Sequence, residues 1–133
     1  MKDRIKDFTG EFDFLSNKFT STFYYKGTKY KSVAHAYQSL KAKHDGDATK
    51  IRNAKTATEA IKEGRGVEVK SDWQETCKDL MEELLYLKFS TNVFLKPKLL
   101  ATGERQLGDG RNFVGELLMK VRERIKGEKS EDE

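Results

Sequence analysis

Three segments of this 133-residue chain carry more polar side chains at special positions than folding alone requires. The first is Gly10-Glu11-Phe12-Asp13-Phe14-Leu15-Ser16-Asn17, where aromatics alternate with carboxylates and end in a Ser-Asn turn. Such a stretch can frame a ring with hydroxyls beside it, although an alternating strand closed by a turn gives the same pattern. The second is Val33–Lys43. At about 100° per residue, Ala34, Gln38 and Lys41 fall within about 60° of one another, beside the apolar stripe of the helix. A lysine on that boundary can lie half-buried, where desolvation lowers its pKa and frees the amine as a nucleophile or Schiff-base former. Lysines on helix edges ordinarily extend into water instead. The third is Gly108-Asp109-Gly110-Arg111-Asn112, a glycine loop ahead of a helix. There the backbone can approach a ligand closely, helix N–H groups can face a phosphate, and Arg111 can clamp it; the same glycines also serve as simple turns. Trp73, in a first helical turn, can stack on a base or fill the core.

The elements that position these residues follow from periodicity and capping. Residues 12–15 read as strand or irregular structure. Thr22–Tyr25 and Thr28–Tyr30 flank Lys26-Gly27 as a hairpin. Ser32 caps a helix whose apolar stripe is Val33, Ala36, Tyr37 and Leu40, fading near His44-Asp45-Gly46. Thr56 with Glu59 opens a short helix ending at Gly64, and Ser71 with Gln74 opens the longest one. The inward face of that long helix is Trp73, Cys77, Leu80, Met81, Leu84 and Leu87. Pro97 starts a brief helix, 98–102, stopped by Gly103. A last helix spans about 113–125, with Val114, Leu117, Leu118, Val121 and Ile125 inward and Gly127 as its stop. The expected fold is α+β, a mostly helical single domain over residues 1–126 with a small N-terminal β element. An acidic tail, residues 127–133, is expected to be disordered.

Composition narrows the function classes. The chain is 36% apolar and 36% charged with one proline, as in an ordinary globular protein. No apolar run approaches the ~20 residues of a membrane span. The opening Met1-Lys2-Asp3-Arg4 lacks a following apolar region, so no signal peptide is expected and the cytoplasm is the expected compartment. Cys77 is the single cysteine, and no thiol–imidazole cluster suggests a metal. His35 and His44 have no acidic partner close in sequence. The net charge of +4 includes a tail with four acids against one lysine, leaving +7 on the rest. A basic body suits a phosphate-bearing partner, and a solvated lysine-rich surface has the same composition.

Read in order, the motifs resemble those of the NADAR (YbiA-like) family. The matching blocks are Gly10–Asn17, Tyr30–Gln38 with Lys41-Ala42, Ala60–Gly66 with Gly64-Arg65, and Asp72-Trp73 through Met81. Lys88-Phe89-Ser90, Asn92, Leu99–Gly103, Asn112–Met119 and Val121-Arg122 complete the series, which covers about residues 8–125. The resemblance implies a YbiA-like fold and hydrolysis of N-glycosidic bonds. Some members remove ADP-ribose from guanine in nucleic acid, opposing DNA-modifying toxins; others cleave phosphoribosyl-amine intermediates of riboflavin synthesis. It also implies a lysine that attacks the anomeric carbon and forms a Schiff base, here Lys41, assisted by a helix glutamate. No cofactor or metal is implied, and the expected partner is ADP-ribose or ADP-ribosylated guanine.

Two departures stand out. Where the family pattern reads Ser-Val-Glu-His this chain reads Ser-Val-Ala-His, so the glutamate position is Ala34. Loss of a general acid/base costs ~10²–10⁴-fold in rate. Either the glutamate has been replaced in an otherwise active hydrolase, or the alanine is natural and the chain is a non-catalytic binder of an ADP-ribose-like nucleotide. The stretch Glu104–Arg111 is also shorter than the family's acidic loop, and either Asp109 stands in for its carboxylate or that function is absent. By the same resemblance, Glu11, Ser16, Asn17 and Gln38 line the ribose end. Arg65 and Trp73 hold a base or phosphate, and Gly110, Arg111 and Asn112 meet the diphosphate.

Overall fold

The computed structural model describes residues 3–132; Met1 and Lys2, on which the reading of the N-terminus partly rests, and Glu133 of the tail lie outside them. Two short strands and six helices follow a short 3-10 opening. Residues Gly10–Leu15 form a 3-10 helix rather than strand or irregular structure. Gly10 enters it at φ 58°, and Phe14 and Leu15 turn inward together while Glu11 and Asp13 stay exposed. Alternation of aromatic and acidic residues therefore reflects a tight helical turn here, since successive inward residues 14 and 15 are incompatible with a period of two.

Strands β1 (Phe23–Tyr25) and β2 (Thr28–Tyr30) pair antiparallel, with Phe23 opposite Tyr30, Tyr24 opposite Lys29, and Tyr25 opposite Thr28. Both turn residues have positive φ, Lys26 at 49° and Gly27 at 83°, as a two-residue hairpin of this twist requires. Phe23 and Tyr30 are buried, while Tyr24 and Lys29 project outward.

Helix α1 (Val33–Lys41) is capped by the Ser32 hydroxyl, which accepts from the His35 N–H at 3.1 Å. It ends at Lys41, and a helix absent from the sequence reading, α2 (Asp45–Arg52), begins at once. The expected fade at His44-Asp45-Gly46 is thus a change of direction. Asp45 and Asp47 in the first turn of α2 and Lys50 and Arg52 in its last complement its dipole, a signal that a single large apolar residue, Ile51, left inconspicuous. Helix α3 (Ala57–Arg65) has its Thr56 cap, with Glu59 N–H donating to Thr56 Oγ1 at 3.1 Å, and runs one residue past Gly64.

Helix α4 (Trp73–Ser90) is the centre of the domain and touches α1, α5, α6 and β1. Its inward face is Trp73, Met81, Leu84, Leu85, Lys88 and Phe89, so Cys77, Leu80 and Leu87 lie at the margin and a lysine lies inside. Helix α5 (Leu95–Ala101) starts before Pro97, three residues earlier than expected. Helix α6 (Val114–Asp132) buries Leu117, Leu118, Val121 and Ile125. It passes through Gly127 and continues to Asp132, past the expected stop. Tyr86 explains the continuation in part, because its hydroxyl donates to Glu128 at 2.8 Å and Arg124 stacks 3.6 Å above its ring.

Candidate functional site

The N-terminal segment and the glycine loop are joined before either can form a site. Ile5 N–H donates to Gln106 O, and Gly108 N–H donates to Ile5 O, each at 2.8 Å. Arg4 adds a bond to Gly108 O at 2.9 Å. The loop then crosses the start of α6 in backbone contact. A Cβ at Gly115 would collide with Leu107 O, and one at Gly108 would stand 3.1 Å from Gly115 Cα. These glycines serve close approach between two backbone segments.

Between this loop, the Ser16-Asn17 turn and α3 lies a cleft of about 320 Å³. Ser16, Asn17, Asp109 and Asn112 line it together with Lys6, Ile61 and neighbouring loop residues. Four predicted site residues far apart in sequence thus share one cavity. Glu11 lies elsewhere, on a separate 220 Å³ pocket with Lys98 and Arg105. Trp73 lines a third groove of 710 Å³, with Leu40 and Lys70. Its indole is buried and tilted against Tyr37, with ring centroids 4.9 Å apart. Burial, and then a hydrogen bond to Cys77, raises the Tyr37 phenol far above its ordinary range. Arg65, Gly110 and Arg111 are exposed and line none of these three cavities.

Asp109 is internally engaged. Its Oδ1 accepts from the Arg111 N–H at 2.9 Å, and its Oδ2 lies 3.5 Å from Arg111 Nε. Asn112 Oδ1 accepts from the Val114 N–H at 2.9 Å, using up one free donor at the start of α6. The loop therefore holds its own shape, and the Arg111 charge is offset by its neighbour.

Asn17 connects the cleft to α1. Its backbone carbonyl accepts from the Ala34 N–H at 2.9 Å, and its Nδ2 lies 3.7 Å from Met81 Sδ. Ala34 is buried, and Gln38 follows one turn later on the same face. The Gln38 amide packs against Gly64, where a Cβ would collide with its Oε1. Gly64 thus makes room for Gln38, a role the sequence reading missed while treating it as a helix end. Ile61, one turn before Gly64 on α3, reaches the cleft wall. Among the described residues, Asn17 Oδ1 and Gln38 Oε1 are buried and have no hydrogen-bond partner. Two orphaned amide oxygens, one on the residue that holds the Ala34 N–H and one a helical turn beyond Ala34, are costly unless something satisfies them.

Lys41 completes this face of α1. It is half-buried, and desolvation lowers its pKa below the ordinary lysine value. Its backbone is pinned by an extended pairing with the segment before α4. Lys70 N–H donates to Lys41 O at 3.1 Å, Lys43 N–H donates to Glu68 O at 2.9 Å, and Ala42 bridges Val69. No residue with a carboxylate forms an ion pair with it among the described residues. An unpaired, partly desolvated amine is more readily neutral, and so nucleophilic, than a surface lysine.

Lys88 escaped the sequence reading. It is fully buried, donates to Ser16 O at 2.9 Å, and lies 4.9 Å from the Phe89 ring centroid and 5.6 Å from that of Phe19. Burial lowers its pKa to about 7, opposed in part by Asp13. Leu84 and Lys88 are one helical turn apart, but only the packing of α4 against its neighbours shows that this turn faces inward. Among the described residues no group of three or more His, Cys, Asp or Glu side chains could hold a metal, and no helix is long and apolar enough to cross a membrane.

Comparison with known proteins agrees with this architecture. The chain is 30% identical over 129 residues to a riboflavin biosynthesis protein of Vibrio vulnificus, covering 84% of this chain and 35% of that protein. It is 33% identical over 102 residues to the chloroplastic riboflavin biosynthesis protein PYRR of Arabidopsis thaliana, covering 61% of this chain and 17% of that protein. The chain thus spans about a third or less of these relatives. The NMR structure of the E. coli protein YbiA superposes with a TM-score of 0.85 over 98% of this chain and 90% of that one, at 24% identity, and shows the same fold. The NADAR domain model matches residues 5–109, and this chain belongs to the NADAR domain family.

Proposed function

We propose that the Asn17–Ala34–Gln38–Lys41 face holds the ribose of an N-glycoside, with ADP-ribose linked to guanine as the substrate class. The observation that carries this reading is the pair of buried, unpartnered amide oxygens on Asn17 and Gln38. A ribose diol donates two hydroxyl hydrogens and also accepts, so it matches both amides whichever way each is turned. The cleft lined by Ser16, Asp109 and Asn112 extends from Asn17 and takes the phosphates.

In the reaction so framed, the neutral Lys41 amine attacks the anomeric carbon. The carbon–nitrogen glycosidic bond breaks, its electron pair leaves with the base, and the base takes up a proton. Loss of the lysine proton and opening of the sugar ring give a Schiff base, which water hydrolyses to free sugar and amine. A carboxylate at position 34, on the residue bonded to Asn17 and one turn before Gln38, would shuttle the proton to the departing base. Alanine cannot, so this chain binds the substrate and turns it over ~10²–10⁴-fold more slowly than its Ala34→Glu form.

A second leaving group is favoured by the names of the relatives, which are riboflavin biosynthesis proteins. A phosphoribosyl-amine of that pathway presents the same ribose to the same face. Calorimetry with ADP-ribose, followed by assays of Ala34→Glu on ADP-ribosylated oligonucleotide and on a phosphoribosylamino-pyrimidine, distinguishes them. Guanine-linked release supports the first reading and pyrimidine release the second. Binding without turnover in either form leaves a nucleotide binder, and absence of binding contradicts the ribose site itself.

A further inference from the structure

The outward face of the β1–β2 hairpin is composed unlike a surface that only covers a core. Register puts Tyr24 directly opposite Lys29. Phe23 and Tyr30 point inward, so alternation places Thr22 and Lys31 on the outer side with them, joined through the bond from Ser21 N–H to Lys31 O at 2.9 Å. Tyr24 is 62% exposed and contributes little burial. Alongside Lys29 and Lys31 stands Arg52, the last residue of α2, and the three cations line a cavity of about 590 Å³ with Thr22, Thr28 and Asn53. No carboxylate belongs to that lining.

The charges there are fixed and uncompensated. Lys31 Nζ donates to Ala54 O at 2.9 Å, a neutral acceptor that orders the side chain without cancelling its charge. Among the described residues, none of Lys29, Lys31 and Arg52 forms an ion pair. The groove on the other flank of Tyr24 is of mixed charge, with Asp72, Asp79 and Glu83 in its wall beside Lys26 and Lys70. A phosphate chain meets cations without carboxylates only on this side of the two.

We propose that this hairpin face is a docking surface for single-stranded nucleic acid, separate from the ribose site. The phosphodiester backbone follows Lys29, Lys31 and Arg52, and an unpaired base stacks on Tyr24. An exposed aromatic beside cations on an open sheet face offers both sequence-tolerant stacking and phosphate neutralisation. A duplex has its bases already stacked and leaves Tyr24 unused.

The test is fluorescence anisotropy of a fluorescein-labelled twelve-nucleotide oligothymidylate between 50 and 200 mM salt, with the full chain. Lys29→Glu combined with Arg52→Glu is expected to weaken binding at least about tenfold and to flatten the salt slope by about 1.4, the loss of two single-strand phosphate contacts. Tyr24→Ala is expected to weaken it by about tenfold with the slope kept. If the double variant unfolds, the exposed Lys29→Glu alone should give half the slope change. ADP-ribose calorimetry on the same variants should be unaltered, so failure of the ribose site and failure of this surface read out separately. No binding at 50 mM salt, equal binding by all variants, or equally tight binding of the matching duplex would each overturn the proposal.

Discussion

The Lys88 amine donates a 2.9 Å hydrogen bond to the carbonyl of Ser16, 72 residues earlier in the chain. It does so from a fully buried position, between the Phe19 and Phe89 rings. This bond fixes the turn from which Asn17 reaches both the cleft and the N-terminus of α1. A neutral amine still has N–H donors, so the bond survives deprotonation and the fold can hold Lys88 uncharged.

That state sets a pH dependence. Lys88 titrates near 7 in the folded chain and near 10.5 when unfolded, so between those values the unfolded chain binds more protons. Stability from this group therefore rises as pH increases from 7 towards 10.5 and is flat below 7. Thermal unfolding of the unsubstituted chain and of Lys88→Met across pH 6–10 checks it. The difference between the two should grow in favour of lysine as pH rises; a constant difference would show that Lys88 stays charged.

Gly64 should be sensitive in binding rather than in folding. A Cβ there would displace the Gln38 amide, the flexible end of a side chain, and would stand 3.1 Å from the Gln38 Cβ, which must give by a few tenths of an ångström. Helix propensity gains about 1 kcal/mol from Gly to Ala, offsetting much of the local rearrangement. Gly64→Ala is expected to change stability by less than about 1 kcal/mol and weaken ADP-ribose about tenfold, the loss of one well-placed hydrogen bond. Paired calorimetry and thermal melts would show it, and unchanged affinity would remove Gln38 from the site.

Asp109 gives a prediction of opposite sign. Its carboxylate offsets Arg111 while its Oδ1 shapes the loop. Asp109→Asn keeps an oxygen for the Arg111 N–H and removes the charge, so a phosphate-bearing ligand should bind up to about fivefold more tightly, the scale of an exposed ion pair. Weaker binding on titration would mean that the carboxylate itself contacts the ligand.

The continuation of α6 is testable by stability alone. Gly127 lies within the helix, and a Cβ there meets nothing within 4 Å. Gly127→Ala should stabilise the chain by up to about 1 kcal/mol. No gain in melting temperature would indicate that the helix ends before this residue.

Much of the framework was legible because local chemistry and global fold coincide. Ser32 and Thr56 cap helices where their hydroxyls predict, and Lys26-Gly27 makes the turn its positive φ values require. The 3-10 turn at Gly10–Leu15 was not, because two adjacent inward residues resemble a strand end as much as a helical turn. Helix α2 was missed because its surface is nearly all polar, with Ile51 its one deeply buried residue. The site was legible in part. Ser16, Asn17, Asp109 and Asn112 meet in one cleft, whereas Glu11 and Trp73 line other cavities. Lys88 and the fit of Gln38 against Gly64 depend on which helix faces meet, which spacing within one helix does not reveal.

Borohydride trapping tests the chemistry at its centre. Ala34→Glu protein would be incubated with an ADP-ribosylated oligonucleotide and sodium borohydride, then digested and mapped by mass spectrometry. A reduced sugar adduct on the Lys41 side chain, absent in Lys41→Arg, is the expected result. Guanine-linked release with no adduct on Lys41, or an adduct on a different lysine, would contradict the placement of the nucleophile on this face of α1.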